Sequence, residues 1–531
     1  MSDPSAAEHG NRICGATGPA VLTVDAGSGS CRALIFDERG TLLGLAQREW
    51  TYEPSEFPGG MDFDGAKGWE YVKAVVRGAL DQAQIAAEDI TAVSSTSMRE
   101  GFVLFDEAGR EIFGVPNVDA RAGKEAEELI AQGLAEPIYR RGGDWTSIAA
   151  PARLRWIEHT LPDVWERAHR IGMLGDWVLQ RLSGEYVTDP SLGSSSGLFE
   201  LKDRSWSAET AQELGIGHLL PPVHESGTVV GAVSEQAARD TGLAAGTPVV
   251  TGGADTQLGL LGGQVLGSDR FGVVGGTYWL TAGLFDTPVV DPEIRLRTLC
   301  HVVPGQWMVE GVGFIHGLST RWVRDGLFLT GDRDVIFEEA YSKLDELAAQ
   351  VPPGSNGVHY QCSNVMNARQ WKHGPPSVVG LSPLNIEGTG LGAIFRAVLE
   401  EAAFVARGHL DILKDIRPEP FDVVDFVGGP SRSPVWSQLL ADVLGVRVRV
   451  PSVEEATCLG AAMCAHVGAG TFSSLEEAAQ GMAVEQVTYE PDTAAVEAYD
   501  VIYPAWTGVK DDLLASADNG RVAHLWKGAG A

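Results

Sequence analysis

Residues 20–37, AVLTVDAGSGSCRALIFD, set two apolar, β-branched runs on either side of a Gly/Ser-rich bend, which predicts a β-hairpin from Val21 to Phe36 with Asp25 at the mouth of its turn. About 250 residues later RFGVVGGTYWLTAGLF, from Arg270, repeats the device: apolar strand, small residues at the bend, a hydroxyl residue in the turn, apolar strand. The two hairpins share pattern rather than identity, and the pattern points to an internal duplication. A third glycine turn lies in FDVVDFVGGPSRSPVWSQLLADVLGVRVRV, from Phe421, which reads strand, turn, helix, strand. There Ser433 is placed to cap the helix, Pro434 to occupy its first position and Gly445 to end it.

Between the hairpins the periodicity alternates. TLLGLAQREW reads as a strand, a helix begins near Trp69, and ITAVSSTSMREGFVLFD gives strands at 90–96 and 102–105. LGAIFRAVLEEAAFVARGHLDIL places Leu391, Phe395, Val398, Ala402 and Val405 on one helical face. The class is therefore α/β. A glycine-rich stretch around residue 265 is a natural hinge, dividing the chain into lobes 19–265 and 266–531 after a flexible tail at 1–18.

At 531 residues the chain is too long for one core, and about 150 residues per domain suggests roughly two to four. An apolar fraction of 44% and a charged fraction of 21% argue against a disordered or fibrous chain. The net charge, 40 − 71 = −31, repels nucleic acid and anionic lipid, and no Lys/Arg run offsets it. The six cysteines form no C-x-x-C pair, and neither a leader-like N-terminus nor a membrane-length apolar run is present. These features predict a cytoplasmic protein with neither nucleic acid nor membrane as partner.

Glycine turns let backbone N–H groups approach phosphate oxygens, and the turn before Ser433 opens a helix whose N-terminal dipole favours an anion. No G-x-x-x-x-G-K-[ST] occurs, and Arg32 stands where a dinucleotide fingerprint needs its third glycine. Two hairpins, a carboxylate and a Gly-Gly turn suit a nucleotide held between similar lobes. GGADTQLG sets Asp255 after a strand, as a helix cap or as a carboxylate that meets a substrate hydroxyl. Arg99 and Glu100 form either a solvated surface pair or a diol-binding donor and acceptor. Asp119-Ala120-Arg121 and Asp62/Asp64 fit surface or capping roles better than the cleft. The tryptophans, among them Trp69, Trp156, Trp177 and Trp436, fit packing, and His301 and His316 have no metal partner at sensible spacing.

Together VDAGSGSCRALIFD, GGADTQLG, VGGTYW and FVGGPSRSPVWSQLLADVLG resemble the FGGY carbohydrate kinases. The resemblance implies a two-lobed actin-like (ribonuclease H-like) fold with duplicated lobes around a nucleotide cleft. It further implies ATP and Mg²⁺ as cofactors, Asp255 as general base and Asp25 as magnesium holder. Ser28, Gly29, Ser30, Gly276 and Thr277 would meet the β- and γ-phosphates, with Gly428, Gly429 and Ser433 beside adenosine and the α-phosphate. Arg99, Glu100 and Thr256 would orient a small polyol. SMREGFVLFDEAGREIFGVPNVDARA, DWVLQRLSGEYVTDPSLGSSSGLF, VPPGSNGV and the terminal HLWKGAGA look most like the autoinducer-2 kinase branch, implying 4,5-dihydroxypentane-2,3-dione as substrate. Pentulose or glycerol-type kinases and a non-catalytic sugar-responsive regulator are the alternatives. The chain departs from the family in Ser28, where threonine is common, and in Arg153-Leu154-Arg155-Trp156, where a lysine is usual; SIAAPARLRW also lacks the tyrosine of glycerol kinases. A homodimer and a phosphocarrier protein of the sugar phosphotransferase system are conceivable partners by the same resemblance, with no residue pointing to either.

Overall fold

The computed structural model describes residues 19–531 apart from 51, 330–336, 454, 483 and 530. The expected tail at 1–18 lies outside the described residues. The opening segment forms the hairpin its alternation predicts, β1 (Ala20–Ala26) pairing antiparallel with β2 (Ser30–Asp37), and β3 (Leu42–Glu49) continues the meander. Asp64 then accepts from Lys67 N at 3.0 Å and starts α1 (Gly65–Ala83), whose apolar face covers β2 and β3. Strand β4 (Ile90–Ser97) runs parallel to β1, and β5 (Val229–Ala232) and β6 (Pro248–Ala254) complete a six-stranded sheet in the order β5-β6-β4-β1-β2-β3.

Helix α2 (Asp255–Gly262) leads from β6 towards the second sheet. That sheet holds β7 (Phe271–Gly275), β8 (Trp279–Phe285), β9 (Arg297–Cys300) and β10 (Trp307–Gly313). After the long helix α3 (Leu391–Ile416) come β11 (Val423–Gly428), α4 (Pro434–Leu444), β12 (Arg447–Pro451), α5 (Ala456–Gly468) and β13 (Gln486–Tyr489). The order is β9-β10-β8-β7-β11-β12-β13.

Without its extra edge strand β9, this second sheet repeats the first strand for strand. In each, an antiparallel three-strand meander is joined through its first strand to two parallel strands and ends on an antiparallel edge. The duplication inferred from two dissimilar hairpins thus holds for whole sheets, as the resemblance to a two-lobed fold implied. Helix α3 buries Phe395, Val398, Ala402 and Val405 in the second core, against β8 and β10. Ser433 accepts from Trp436 N at 3.0 Å and Gly445 ends α4 with φ 66°, so both boundaries fall where the sequence set them.

The halves are laced together by two helices. α5, from the second half, packs on the first sheet and against α2, while α2 reaches β7 and β11 of the second. The approach is so close that a Cβ on Gly262 would stand 1.9 Å from Ala456 O, and one on Gly460 2.1 Å from Leu258 O. Only glycine permits that backbone contact.

Candidate active site

Three glycine turns converge on a cavity of about 400 Å³ between the sheets. The first is closed by Gly27 N donating to Ser30 O at 3.0 Å, the second by Gly276 N donating to Tyr278 O at 2.9 Å. The third follows β11, where Gly428 (φ 98°) pairs in register with Gly275. A Cβ on Gly428 would sit 2.1 Å from Gly275 O, so these two turns can lie side by side only with glycine there. Ser28, Gly29, Ser30, Gly276, Thr277, Gly428 and Gly429 all line this cavity. Ser433 is not among the lining residues; its hydroxyl oxygen accepts from Trp436 N at the start of α4.

Asp25, the penultimate residue of β1, lines the same cavity and is 3% exposed. Its Oδ2 accepts from Arg32 Nε at 3.1 Å, and Arg32 Nη1 reaches Glu455 Oε2 at 2.6 Å. Asp25 Oδ1 is buried without a hydrogen-bond partner among the described residues. A buried carboxylate oxygen left open beside glycine turns fits a hard divalent cation or one of its water ligands. At Gly29 a Cβ would meet nothing within 4 Å, so this turn borders open space that a phosphate can enter.

A second cavity, of about 510 Å³, adjoins the first, and Ser28, Asp255, Thr256, Tyr278 and Leu280 line both. Asp255 is the first residue of α2, held by the β6–α2 junction where it lines both cavities. It does not cap the helix: its Oδ1 accepts from the adjoining Thr256 N at 2.7 Å. Enclosure by protein pushes its carboxyl up to about 6; Arg99, with Nε 3.9 Å from Oδ1, pulls the other way and Asp25 adds to the rise. A carboxylate with that value is ionised at neutral pH yet basic enough to take a proton.

Arg99 and Glu100 are no solvated pair; each is 6% exposed in the wall of the second cavity. Glu100 adopts φ 62°, an uncommon conformation for a side-chain-bearing residue, and its carbonyl accepts from Arg153 Nη1 at 2.7 Å. Arg153, the arginine that replaces the family's usual lysine, also donates to Asn117 O and Asp119 O. From the second sheet come two residues the sequence did not single out. Glu310 Oε1 accepts from Arg99 Nη1 at 2.7 Å and from Arg297 Nε at 2.6 Å, and Arg297 Nη1 donates to Glu100 Oε1 at 2.7 Å. Asp144 joins the network through Arg297 at 3.3 Å. Burial alone would raise the Glu310 carboxyl, but Arg99 and Arg297 outweigh it and hold the group below its ordinary range. Asp144, with weaker compensation, is pushed up to about 6. A lone charge inside an otherwise apolar strand, as in WMVEGVG, was the available signal for Glu310.

The discounted residues divide. Asp64 caps α1 as expected, and Trp69, Trp156, Trp177 and Trp436 are packed in cores. Asp119 is not on the surface: buried, it accepts from Arg121 Nε at 2.6 Å and lines the second cavity. His316, expected to lack partners, meets Cys362 and Glu401 in space. Its Nε2 lies 2.6 Å from Glu401 Oε2, and the Cys362 thiol donates to the same oxygen at 3.4 Å. Burial pushes the Cys362 thiol well up, and the contacts join α3 to the segments that carry His316 and Cys362. The five described cysteines, Cys362 among them, are all free and buried. Among the described residues no helix is long and apolar enough to cross a membrane.

Comparison with known proteins matches the family described as "FGGY family of carbohydrate kinases, N-terminal domain" to residues 20–262 and its "C-terminal domain" to residues 273–469. A curated relative named autoinducer-2 kinase, from Salmonella paratyphi B, is 39% identical over 530 residues, covering 98% of this chain and 99% of its own. Among solved structures, a xylulose kinase from Rhodospirillum rubrum superposes with TM-score 0.79 at 27% identity, covering 93% of this chain and 99% of its own. A gluconate kinase from Lactobacillus acidophilus has TM-score 0.82 at 19% identity over 94% and 99%. The likeness in the last case is one of fold.

Proposed function

Because the chain belongs to the FGGY family of carbohydrate kinases, ATP-dependent phosphotransferases of actin-like fold, we propose that it transfers the γ-phosphoryl group of ATP to the terminal hydroxyl of autoinducer-2, 4,5-dihydroxypentane-2,3-dione. The observation that carries this reading is the placement of Asp255 in the wall shared by two adjoining cavities, one lined by three glycine turns and the other by the Arg99–Glu100 pair. The choice of this substrate is supported by the near full-length relative named for it.

In this reading Asp255 accepts the proton of the attacking primary hydroxyl, a contribution of about 10²–10⁴-fold. Arg99 and Glu100, fixed by Arg297, Glu310 and Arg153, donate to and accept from the vicinal hydroxyls, with Thr256 beside them. Ser28, Gly29, Ser30, Gly276 and Thr277 hold the β- and γ-phosphates from opposite sheets. Gly428 and Gly429 border the α-phosphate and adenosine, and Ser433 acts by fixing the helix start behind them. Asp25 would hold Mg²⁺ through its open Oδ1, directly or through water. When bound, that ion neutralises charge on the transferring phosphoryl group. Positioning supplies most of the rest, since this transfer needs little covalent help from protein.

Lobes 19–265 and 266–531 would close about the α2–β7 connection, excluding water from the phosphates. The cell compartment we assign is the cytoplasm, where ATP is available. A homodimer and a phosphocarrier protein are the partners this reading would add, and size-exclusion chromatography with and without the carrier tests both.

A coupled assay of ATP consumption with the dione, xylulose, ribulose and glycerol, with and without Mg²⁺, tests the function. The dione is expected to give the highest kcat/KM and Mg²⁺ to be required. Preference for a pentulose or glycerol would replace the substrate, and binding without turnover of any of them would make the chain a regulator.

A further inference from the structure

The C-terminal end of the chain returns to the substrate cavity. After helix 493–518, Leu525 N donates to His373 O at 3.1 Å and Gly528 N to Trp371 O at 2.8 Å, while Lys527 and Trp526 pair with Lys372 and His373 as a two-stranded ribbon. On its other side Ser147 Oγ donates to Ala529 O at 3.4 Å, so the segment bridges both halves of the chain. Trp526 and Trp371 are 5.0 Å apart between ring centroids, with Phe314 5.7 Å from Trp526. All three line the substrate cavity and none lines the nucleotide cavity, so they stand away from the junction at Asp255. Trp371 Nε1 is buried without a hydrogen-bond partner among the described residues.

We propose that Trp526, carried by the C-terminal ribbon, and Trp371 form an apolar end wall that selects a substrate whose end remote from the phosphorylated hydroxyl is a methyl ketone rather than a hydroxymethyl ketone. This deepens the proposed function and rests on it. The dione ends in a methyl group next to a ketone oxygen, which can only accept a hydrogen bond; xylulose carries a hydroxyl there. Two indole rings, packed edge to face, favour the methyl group and offer an added hydroxyl no carboxylate or carbonyl of their own, which disfavours the pentulose. Arg99, Glu100 and Arg297 line this cavity with Asp255, whereas Trp371, Trp526 and Phe314 line it beside the ribbon that also carries Lys527.

The test measures kcat/KM for the dione and for D-xylulose, together with KM for ATP, in the parent, in Trp526→Ala, in Trp526→Phe and in a chain ending at Gly520. The selectivity ratio, dione over xylulose, is expected to fall about tenfold in Trp526→Ala and in the shortened chain, through a higher KM for the dione with kcat within about twofold, the scale of one misplaced methyl-sized contact. Trp526→Phe should keep most of the ratio and KM for ATP should not move. A ratio that changes less than threefold in both Trp526→Ala and the shortened chain, or an equal loss for both substrates, overturns the inference while leaving the function standing. A parent that prefers xylulose to the dione overturns the function, and the inference with it. Trp526→Ala alters one partly exposed tail residue, so it decides the matter even if the shortened chain melts early.

Discussion

Arg99 Nε lies 3.9 Å from Asp255 Oδ1 while Arg99 Nη1 donates to Glu310 at 2.7 Å, so the cation nearest the proposed base is shared with a buried carboxylate of the other sheet. Asp255 therefore feels only part of a positive charge. Burial, the larger influence, keeps its carboxyl near 6.

That value sets an acid limb. Protonated Asp255 already holds a proton and is too weak a base to take the substrate's, so kcat/KM for the hydroxyl substrate at saturating ATP should fall tenfold per pH unit below about 6 and level off above it. Removing the cation in Arg99→Gln should shift the limb to higher pH. Asp144 has a similar value but does not face the reacting hydroxyl in the proposed mechanism, so Asp144→Asn should leave the limb in place. A limb near pH 4 in the parent would contradict the assignment.

Asp255→Asn should lower kcat by about 10²–10⁴-fold while KM for ATP stays within a few fold, because the amide cannot accept the proton but preserves shape. The same substitution should also change stability in a pH-dependent way. A carboxyl whose folded pKa is raised above its unfolded value destabilises the fold at pH above the folded value and not below both. The melting temperature of Asp255→Asn should thus exceed the parent's at pH 8 and converge with it towards pH 4. Equal shifts at both pH values would mean that the gain has another source.

Glu310 is the hub of the inter-sheet network. Glu310→Leu would leave Arg99 and Arg297, both buried, without their shared acceptor. Breaking a buried ion pair from one side costs about 3–5 kcal/mol, so chemical denaturation should show a loss of that size. Glu310→Gln keeps one acceptor oxygen and should lose less, while raising KM for the polyol because Arg99 and Glu100 are less firmly held. A Glu310→Leu chain as stable as the parent would remove the network from the account.

How far the sequence showed this site depended on distance along the chain. The glycine turns, Asp25, Asp255 and the Ser433 cap each lie within a few residues of the strand or helix that explains them, so local periodicity and turn chemistry suffice. Arg99 and Glu100 were visible as an adjacent pair, but their burial was not, because it depends on Arg297 and Glu310 some 200 residues away. The same holds for His316, whose partners Cys362 and Glu401 come from separate elements. Trp371 and Trp526 read as packing residues because nothing local says that a ribbon returns to the cavity. The repeat itself was faint in residues yet complete in strand order, since a sheet's topology tolerates changes in every side chain that keep its alternation.

The last prediction separates backbone geometry from phosphate contact at the third turn. Gly428 has φ 98° and no room for a Cβ, which would lie 2.1 Å from Gly275 O; Gly429 has no atom within 4 Å of the corresponding position. Gly428→Ala must push β7 and β11 apart or distort the turn, a strain of about 1–3 kcal/mol for the backbone conformation alone. It should lower the melting temperature and raise KM for ATP at least tenfold while leaving KM for the polyol nearly unchanged. Gly429→Ala adds a methyl group that faces the nucleotide cavity, so the melting temperature should stay within about one degree as KM for ATP rises. If Gly429→Ala left ATP binding untouched, this turn would not border the nucleotide; if Gly428→Ala did, its positive φ would serve the fold alone.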